Sequence, residues 1–292
     1  MIHSAMLTLM SLGILAWRPC RGREARAPHA AVAMLLLATA AVWVGSFGLV
    51  VHIIGGAGGT LVAACGSVLR SLLTGALGWW QSALLLGWVL LLPGRGLWRI
   101  GTDVAGSRPL LRRIHTAPAI LADTALPALG PTGRPARRTV ILRGLGTPAV
   151  TLGLMRPMVA IDARFWADAD PTERSVVLAH EQAHQRGRHG VVDAAAQLLT
   201  AGLAPLPFVR HARDCIRRHL EALADDAAVR CHDTRLVGLT VGRVAVATAP
   251  RHGLGTSGDA VWRVRRLVAP SPAASWRDRG VLGVCTAMRR LQ

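Results

Sequence analysis

The chain has 292 residues, enough for one domain plus a membrane region or for two modest domains. Hydrophobic residues make up 51% of it, and the mean hydropathy of +0.37 is high for a soluble globular protein. All 34 basic residues are arginines and the formal net charge is +18, yet no nucleic-acid-binding motif accompanies this charge. The composition therefore argues against direct nucleic-acid binding and favours arginines that face the anionic headgroups of a lipid bilayer.

Three long apolar segments lie in the first 92 residues and predict transmembrane helices over residues 1–17, 30–54 and 71–92. A helix needs about 20 residues to cross the hydrocarbon core of a bilayer. The glycine-rich stretch 55–70 is interpreted as an external loop. The first segment has its arginines after the apolar run, an order that indicates a membrane helix rather than a cleaved signal peptide.

The arginines around these segments predict their orientation. The loop after the first segment contains four arginines, whereas the loop after the second contains only Arg70. Five more follow the third segment, namely Arg95, Arg99, Arg108, Arg112 and Arg113. Because positive residues collect on the cytoplasmic side, we expect a multi-pass protein of the cell membrane in which everything after residue 93 is cytoplasmic.

The second half of the chain predicts an α+β domain. Residues 93–138 are rich in Pro, Gly and Arg and are interpreted as a linker with short helical pieces. Residues 139–161 alternate around Gly and Pro and predict two or three short strands. Asp170 followed by Pro171 is typical of a helix start. The expected fold is therefore mainly α, with N-terminal transmembrane helices followed by a domain over 139–250 that has a small sheet.

Three later segments have simpler interpretations. Residues 191–209 are apolar but contain Asp193 and two prolines, which favours an amphipathic or membrane-contacting helix over a fourth span. Residues 251–292 are expected to be a C-terminal tail, with an apolar piece at 281–288 that is too short to cross a membrane. Three tail arginines are interpreted as a solvated face: Arg263, Arg265 and Arg266.

The segment His180-Glu181-x-x-His184 is the main chemical motif of the chain. Residues four apart on a helix share one face, so both imidazoles can bind one zinc ion. Glu181 follows the first histidine and is placed to contact a water at the metal as the catalytic base. The usual alternative is a surface helix with solvated charges, but the preceding strands favour the zinc interpretation.

A catalytic zinc site uses three protein ligands, so a third ligand is expected downstream. The best candidate is Glu221, which lies in a strongly helix-forming stretch. Asp225 follows four residues later on the same face and is predicted to accept a hydrogen bond from a ligand imidazole. The oxyanion that forms during peptide hydrolysis usually needs a second stabilising donor besides the metal. The sequence does not choose between the candidates for this role: His189, His211, His219 or a nearby arginine. The strands are further predicted to bind an extended peptide along an exposed edge.

Three elements resemble metallopeptidase family 56, the BlaR/MecR-type membrane zinc peptidases: the motif, the element from Glu221 to Asp225, and the stretch from Thr147 to Pro157. This family is related to the HtpX-like and CAAX-prenyl proteases of family 48, and the Gly-Leu-x-x-Pro stretch separates the first family from the second. The resemblance covers residues 93–235 and the arrangement of the three spans. It implies a gluzincin site on the cytoplasmic side, with His180, His184 and Glu221 as ligands.

The chain departs from the antibiotic-sensing members in two respects. They carry an aspartate soon after the motif, where this chain has His189. They also carry an extracellular penicillin-binding sensor after a fourth span, and this chain ends at Gln292 without one. A β-lactam receptor is therefore not expected.

The function expected from the motif and the resemblance is hydrolysis of peptide bonds in protein substrates by an integral-membrane zinc metalloendopeptidase. By resemblance, the substrate is a cytoplasmic BlaI-like winged-helix repressor. Two alternatives stay open: an HtpX-like quality-control protease, which broad cleavage of denatured membrane proteins would favour, and a non-catalytic membrane receptor or scaffold, against which the intact Glu181 argues.

Overall fold

A computed structural model describes residues 2–16, 27–55, 60–88, 92–116, 139–203, 206–248 and 257–268. The described chain is mostly helical, with one small mixed sheet. It forms two compact units. The first contains the described residues within Met1–Gly22, Ala31–Asp103 and Ala194–Ile216, and the second contains those within Arg23–Ala30, Val104–Asp193 and Arg217–Gln292.

The first two apolar segments are helices, α1 (Ile2–Ala16) and α2 (Pro28–Gly55). Helix α2 has 28 residues and is the one helix of the described chain that is long and apolar enough to cross a membrane, judged by length and composition. Helix α1 is apolar but has 15 residues, fewer than a full crossing requires.

The third apolar segment is not the continuous helix that its hydropathy predicts. Helix α3 (Leu61–Leu73) ends at its C-cap Thr74, and helix α4 (Trp79–Leu86) begins after a turn in which Gly75 has a φ of +68°. This left-handed conformation favours glycine and ends a helix. Helix α3 also occupies most of the stretch interpreted as an external loop, and Val68 packs it against α2.

Residues 92–116 form one helix, α5 (Leu92–Thr116), where a linker with short helical pieces was expected. Pro109 lies inside this helix. Near its end, Ile114 is fully buried against the sheet, and the partly buried Leu110 and Leu111 pack beside it. The rest of the expected linker, residues 117–138, lies outside the described residues.

The predicted strands are all present, as β1 (Thr139–Leu142), β2 (Ala149–Leu152) and β3 (Met158–Asp162). The strand order is β1-β3-β2, in which β3 pairs parallel to β1 and antiparallel to β2. Every residue of β3 is buried, as expected for a central strand. Gly153 follows β2 with a φ of +97°, and a Cβ there would lie 2.9 Å from the Arg156 carbonyl oxygen, so this turn requires glycine.

Within the described residues, six helices follow the sheet: α6 (Ala163–Asp168), α7 (Pro171–Arg186), α8 (His189–Ala201), α9 (Pro207–Val229), α10 (Thr234–Thr248) and α11 (Ser257–Val268). The segment expected as one amphipathic helix over 191–209 is divided between α8 and α9. Helix α11 lies in the expected tail but packs on α10, with Leu267 against Val237 and Val241. The apolar piece 281–288 lies outside the described residues.

Candidate metal centre

Helix α7 carries the histidine motif and is held between the sheet and the later helices. The Asp170 carboxylate caps its N-terminus by accepting two backbone N–H groups of the first turn, each at 2.8 Å, and Pro171 follows as expected. Leu178 packs toward β3 on one face of α7. Val176 packs toward α9 and α10 on the other face. This packing fixes the rotation of the helix and therefore the direction of its polar residues.

His180, His184 and Glu221 form a group that could hold a metal ion, as the sequence suggests. The two Nε2 atoms lie 3.1 Å apart, and each lies 3.4 Å from a Glu221 carboxylate oxygen. Donors at about 2.0–2.1 Å from a tetrahedral zinc ion are about 3.3 Å from one another. The three side chains therefore fit a single ion of this size without rearrangement of the backbone.

Asp225 orients the first imidazole. Its carboxylate is fully buried, and Oδ1 lies 3.1 Å from Nδ1 of His180. Burial lowers the pKa of His180, but the hydrogen bonds to Asp225 and Glu221 outweigh this effect and raise the pKa to about 10. A hydrogen bond from Nδ1–H to Asp225 leaves Nε2 as the ligand atom, the arrangement common in zinc sites. Metal binding at Nε2 displaces the proton of that atom.

A third histidine orients the second imidazole. Nδ1 of His189 lies 2.8 Å from Nδ1 of His184, and the two rings are nearly perpendicular. Burial lowers the pKa of both side chains to about 4, so both are neutral at neutral pH. If Nε2 of His184 binds a metal, its Nδ1–H donates to His189. A neutral histidine at this position can thus supply an acceptor for His184 without adding a negative charge.

The Glu181 carboxylate contacts β2. The Thr151 hydroxyl donates to Glu181 Oε2 at 2.7 Å, and the same hydroxyl lies 3.0 Å from the Glu181 main-chain oxygen. Burial raises the pKa of the Glu181 carboxyl above its usual range. A carboxylate with a raised pKa is suited to accept and return a proton near neutral pH.

Arg263 of α11 joins this centre, which contradicts its interpretation as part of a solvated face. Its side chain is 19% exposed and makes two hydrogen bonds to Asp225, at 2.6 and 2.8 Å. Its third nitrogen, Nη1, lies 2.9 Å from Oε2 of Glu221. Arg266 is likewise paired, with Asp226 of α9 at 2.6 Å. A helix that buries carboxylates requires cations from a neighbouring element, because unpaired buried charge is costly.

These residues border a cleft of about 620 Å³. Strand β2 lines one wall, with Ala149 and Thr151, and the helices α7, α9, α10 and α11 line the others. Glu221 faces this cleft and keeps a side-chain exposure of 38%. The wall from α10 is mainly apolar and includes Val241 and Val244. The metal-binding group therefore lies at the wall of an open cleft.

The candidates for a second oxyanion donor lie in different surroundings. His189 and Arg263 line the cleft. His219 is fully buried beside Trp262, and both of its ring nitrogens are without a hydrogen-bond partner in the described part of the chain. His211 belongs to the first compact unit, whereas the metal-binding group belongs to the second.

Thr151 and Arg263 were missed as site residues. The first is an ordinary strand residue in the sequence, and nothing local marks its contact with Glu181. The second has a weak signal: Arg263 and Arg266 are three residues apart, so they share a helix face, and the adjacent Asp225 and Asp226 require cations.

Comparisons with models of protein families, with curated proteins and with solved structures found no match.

Proposed function

We propose that the protein is a membrane-embedded, zinc-dependent metalloendopeptidase. The observation that carries the proposal is the convergence of two imidazoles and one carboxylate within 3.4 Å of one another, in a cleft that Glu181 also lines. Two histidines and a glutamate are ligands that catalytic zinc uses, and three protein ligands leave a fourth position for solvent. The chemistry that zinc supplies in such a site is Lewis-acid polarisation of a carbonyl and a lowered pKa of water.

The remaining residues orient and transfer protons. Glu181 takes a proton from the attacking water and returns it to the leaving amine, so the peptide bond is exchanged for a carboxylate and an amine. The Thr151 hydroxyl holds Oε2 of Glu181 and thereby fixes the direction of the carboxylate. Asp225 and His189 hold the imidazoles of His180 and His184 in the tautomers that present Nε2.

We propose that the substrate pairs with the outer edge of β2. In the described sheet β2 pairs with β3 alone. The Asp162 N–H donates to the Pro148 carbonyl oxygen, and hydrogen-bonded pairs alternate along an antiparallel ladder. Val150 therefore directs its N–H toward β3, whereas Ala149 and Thr151 direct their N–H groups away from β3. This edge borders the cleft. A peptide that adds there gains main-chain hydrogen bonds while its scissile bond approaches Glu181.

Replacing Ala149 by proline tests this mode of binding. Proline removes one outward N–H and leaves the inward pairing with β3 intact. The loss of one hydrogen bond, about 0.5–1.5 kcal/mol, predicts a KM raised about 2- to 12-fold with little change in kcat. Peptide hydrolysis at increasing substrate concentration measures both constants, and Ala149→Ser, which keeps the N–H, is the control. A folded Ala149→Pro protein with an unchanged KM would contradict binding at this edge.

The first compact unit supports the location in a membrane. Helix α2 has the length and apolarity of a span, and many large apolar side chains of α1, α3 and α4 are exposed, among them Met10, Val62 and Trp79. The number of large apolar side chains exposed on these short helices favours contact with lipid or a partner. From the arginine distribution we propose several spans, with the metal centre in the cytoplasm. A cytoplasmic winged-helix repressor then becomes the proposed substrate, on the strength of the resemblance alone.

Zinc stoichiometry and chelation test the proposed function. We expect the purified full-length protein in detergent to bind one zinc ion per chain and to hydrolyse a library of quenched fluorescent peptides. A chelator should abolish this hydrolysis, and added zinc should restore it. Failure of the folded wild-type protein to bind zinc would refute the proposal. A zinc-loaded protein that hydrolyses no peptide in the library would instead support the non-catalytic receptor.

A further inference from the structure

The guanidinium of Arg263 contacts two carboxylates of the metal centre at once. Nε donates to Asp225 Oδ2 at 2.8 Å and Nη2 donates to Asp225 Oδ1 at 2.6 Å. The third nitrogen, Nη1, lies 2.9 Å from Oε2 of Glu221. All three nitrogens are therefore engaged, and the two carboxylates that they hold lie one turn apart on α9. A planar fork with five donors can make this set of contacts, whereas a single ammonium cannot.

Each of these carboxylates determines the position of a metal-binding atom. Asp225 is fully buried and orients the His180 imidazole through Nδ1. Glu221 supplies a candidate ligand oxygen, and a contact with one of its two oxygens restrains the rotation of the carboxylate. If Arg263 were absent, Asp225 would be a buried charge with one partner fewer, and Glu221 would be free to turn toward the open cleft.

We propose that Arg263 is a positioning residue of the metal centre, which fixes the carboxylates of Asp225 and Glu221 in the arrangement that binds the ion. This inference rests on the proposed function and deepens it. It makes α11, in a segment that the sequence predicts to be a tail, a part of the metal centre.

The competing explanation is that Arg263 only attaches α11 to α9. A comparison with Arg266 distinguishes this explanation from the proposal. Arg266 lies on the same helix, is similarly buried at 15% exposure, and pairs with Asp226 of α9 through Nη2 at 2.6 Å. Its Nη1 lies 3.5 Å from the Ala222 carbonyl oxygen. Asp226 contacts neither candidate ligand histidine in the ion pairs of the described residues. Loss of Arg266 therefore weakens the attachment of α11 without a direct effect on the metal-binding atoms.

The test measures zinc affinity by competition with a chromophoric chelator. The proteins are the full-length wild type and three variants: Arg263→Gln, Arg263→Lys and Arg266→Gln. We expect both substitutions of Arg263 to weaken zinc binding about 10- to 100-fold, the range for lost partners of metal ligands. Arg266→Gln should keep a zinc affinity within about threefold of the wild type. Its thermal stability should fall less than that of Arg263→Gln, because Asp226 is partly exposed whereas Asp225 is fully buried. Circular dichroism confirms that each variant is folded before titration.

The other results each overturn the inference. Equal zinc affinity in Arg263→Gln and Arg266→Gln would mean that Arg263 only attaches α11 to α9. Full affinity in Arg263→Lys would show that positive charge suffices and that the two-carboxylate contact is not required. Tighter binding in Arg263→Gln would show that repulsion between the guanidinium and the ion outweighs positioning. If the wild type itself binds no zinc, the proposed function fails, and this result differs from the preceding three because it appears before any variant is compared.

Discussion

Replacing Glu181 by glutamine is expected to lower kcat for peptide hydrolysis about 10²- to 10⁴-fold, the range that general acid–base catalysis contributes. Zinc affinity should stay within about threefold of the wild type, because Glu181 is not one of the three side chains that converge on the metal position. Glutamine keeps the size of the side chain, and its amide oxygen can still accept from the Thr151 hydroxyl. What it loses is the ability to take a proton from water.

The measurement compares initial rates on a peptide that the wild type cleaves, together with zinc affinity by chelator competition. Glu173→Gln is the matched control, since it makes the same chemical change on the same helix, at a residue that pairs with Arg243. It should leave kcat near that of the wild type. Full activity in Glu181→Gln would refute the assignment of the base. Loss of zinc together with activity would show that Glu181 acts as a ligand instead.

Replacing Glu221 by glutamine is expected to remove both zinc and activity. A neutral amide oxygen is a weaker ligand than a carboxylate, and the substitution also leaves Nη1 of Arg263 without its negative partner. We expect zinc affinity to fall at least about 100-fold, beyond the loss that follows removal of an indirect partner of the metal. Hydrolysis should fall in parallel and return only in part when zinc is in large excess.

Asp226→Asn is the control for this variant, because Asp226 lies on the same helix and is also paired with an arginine of α11. It should keep zinc affinity within about threefold of the wild type. Unchanged zinc affinity in Glu221→Gln would mean that Glu221 is not the third ligand. Activity without a third ligand would then require a different mechanism from the one proposed.

Local features of the sequence determined the elements that carry the site. Alternation around Gly and Pro predicted two or three strands, and the structure has three there. Asp170 with Pro171 predicted the start of α7, because caps act over a few residues. The spacing of His180 and His184 placed both imidazoles on one face, since this follows from 3.6 residues per turn. Glu221 and Asp225 were predicted for the same reason. The structure brings all four side chains together.

Hydropathy was less successful in the first 92 residues. It measures composition over a window and does not detect where the backbone turns. The apolar segment 71–92 was therefore predicted to be one helix, although a turn with Gly75 in the left-handed conformation separates α3 from α4. The arginines of 93–116 suggested a linker, but side chains such as Ile114 are spaced to bury one face of α5. Long charged side chains on the opposite face do not prevent a helix.

The sequence by itself determined which residues share a helix face, His180 with His184 and Glu221 with Asp225, because the members of each pair lie about one turn apart. Only the tertiary structure decided what surrounds them. Arg263 reaches Asp225 across 38 residues of chain, and Thr151 reaches Glu181 across 30. Contacts of this separation depend on how β2, α7, α9 and α11 pack, and no local periodicity encodes that packing. The charge of buried Asp225 required a cation, but which of 34 arginines supplies it was settled by the fold.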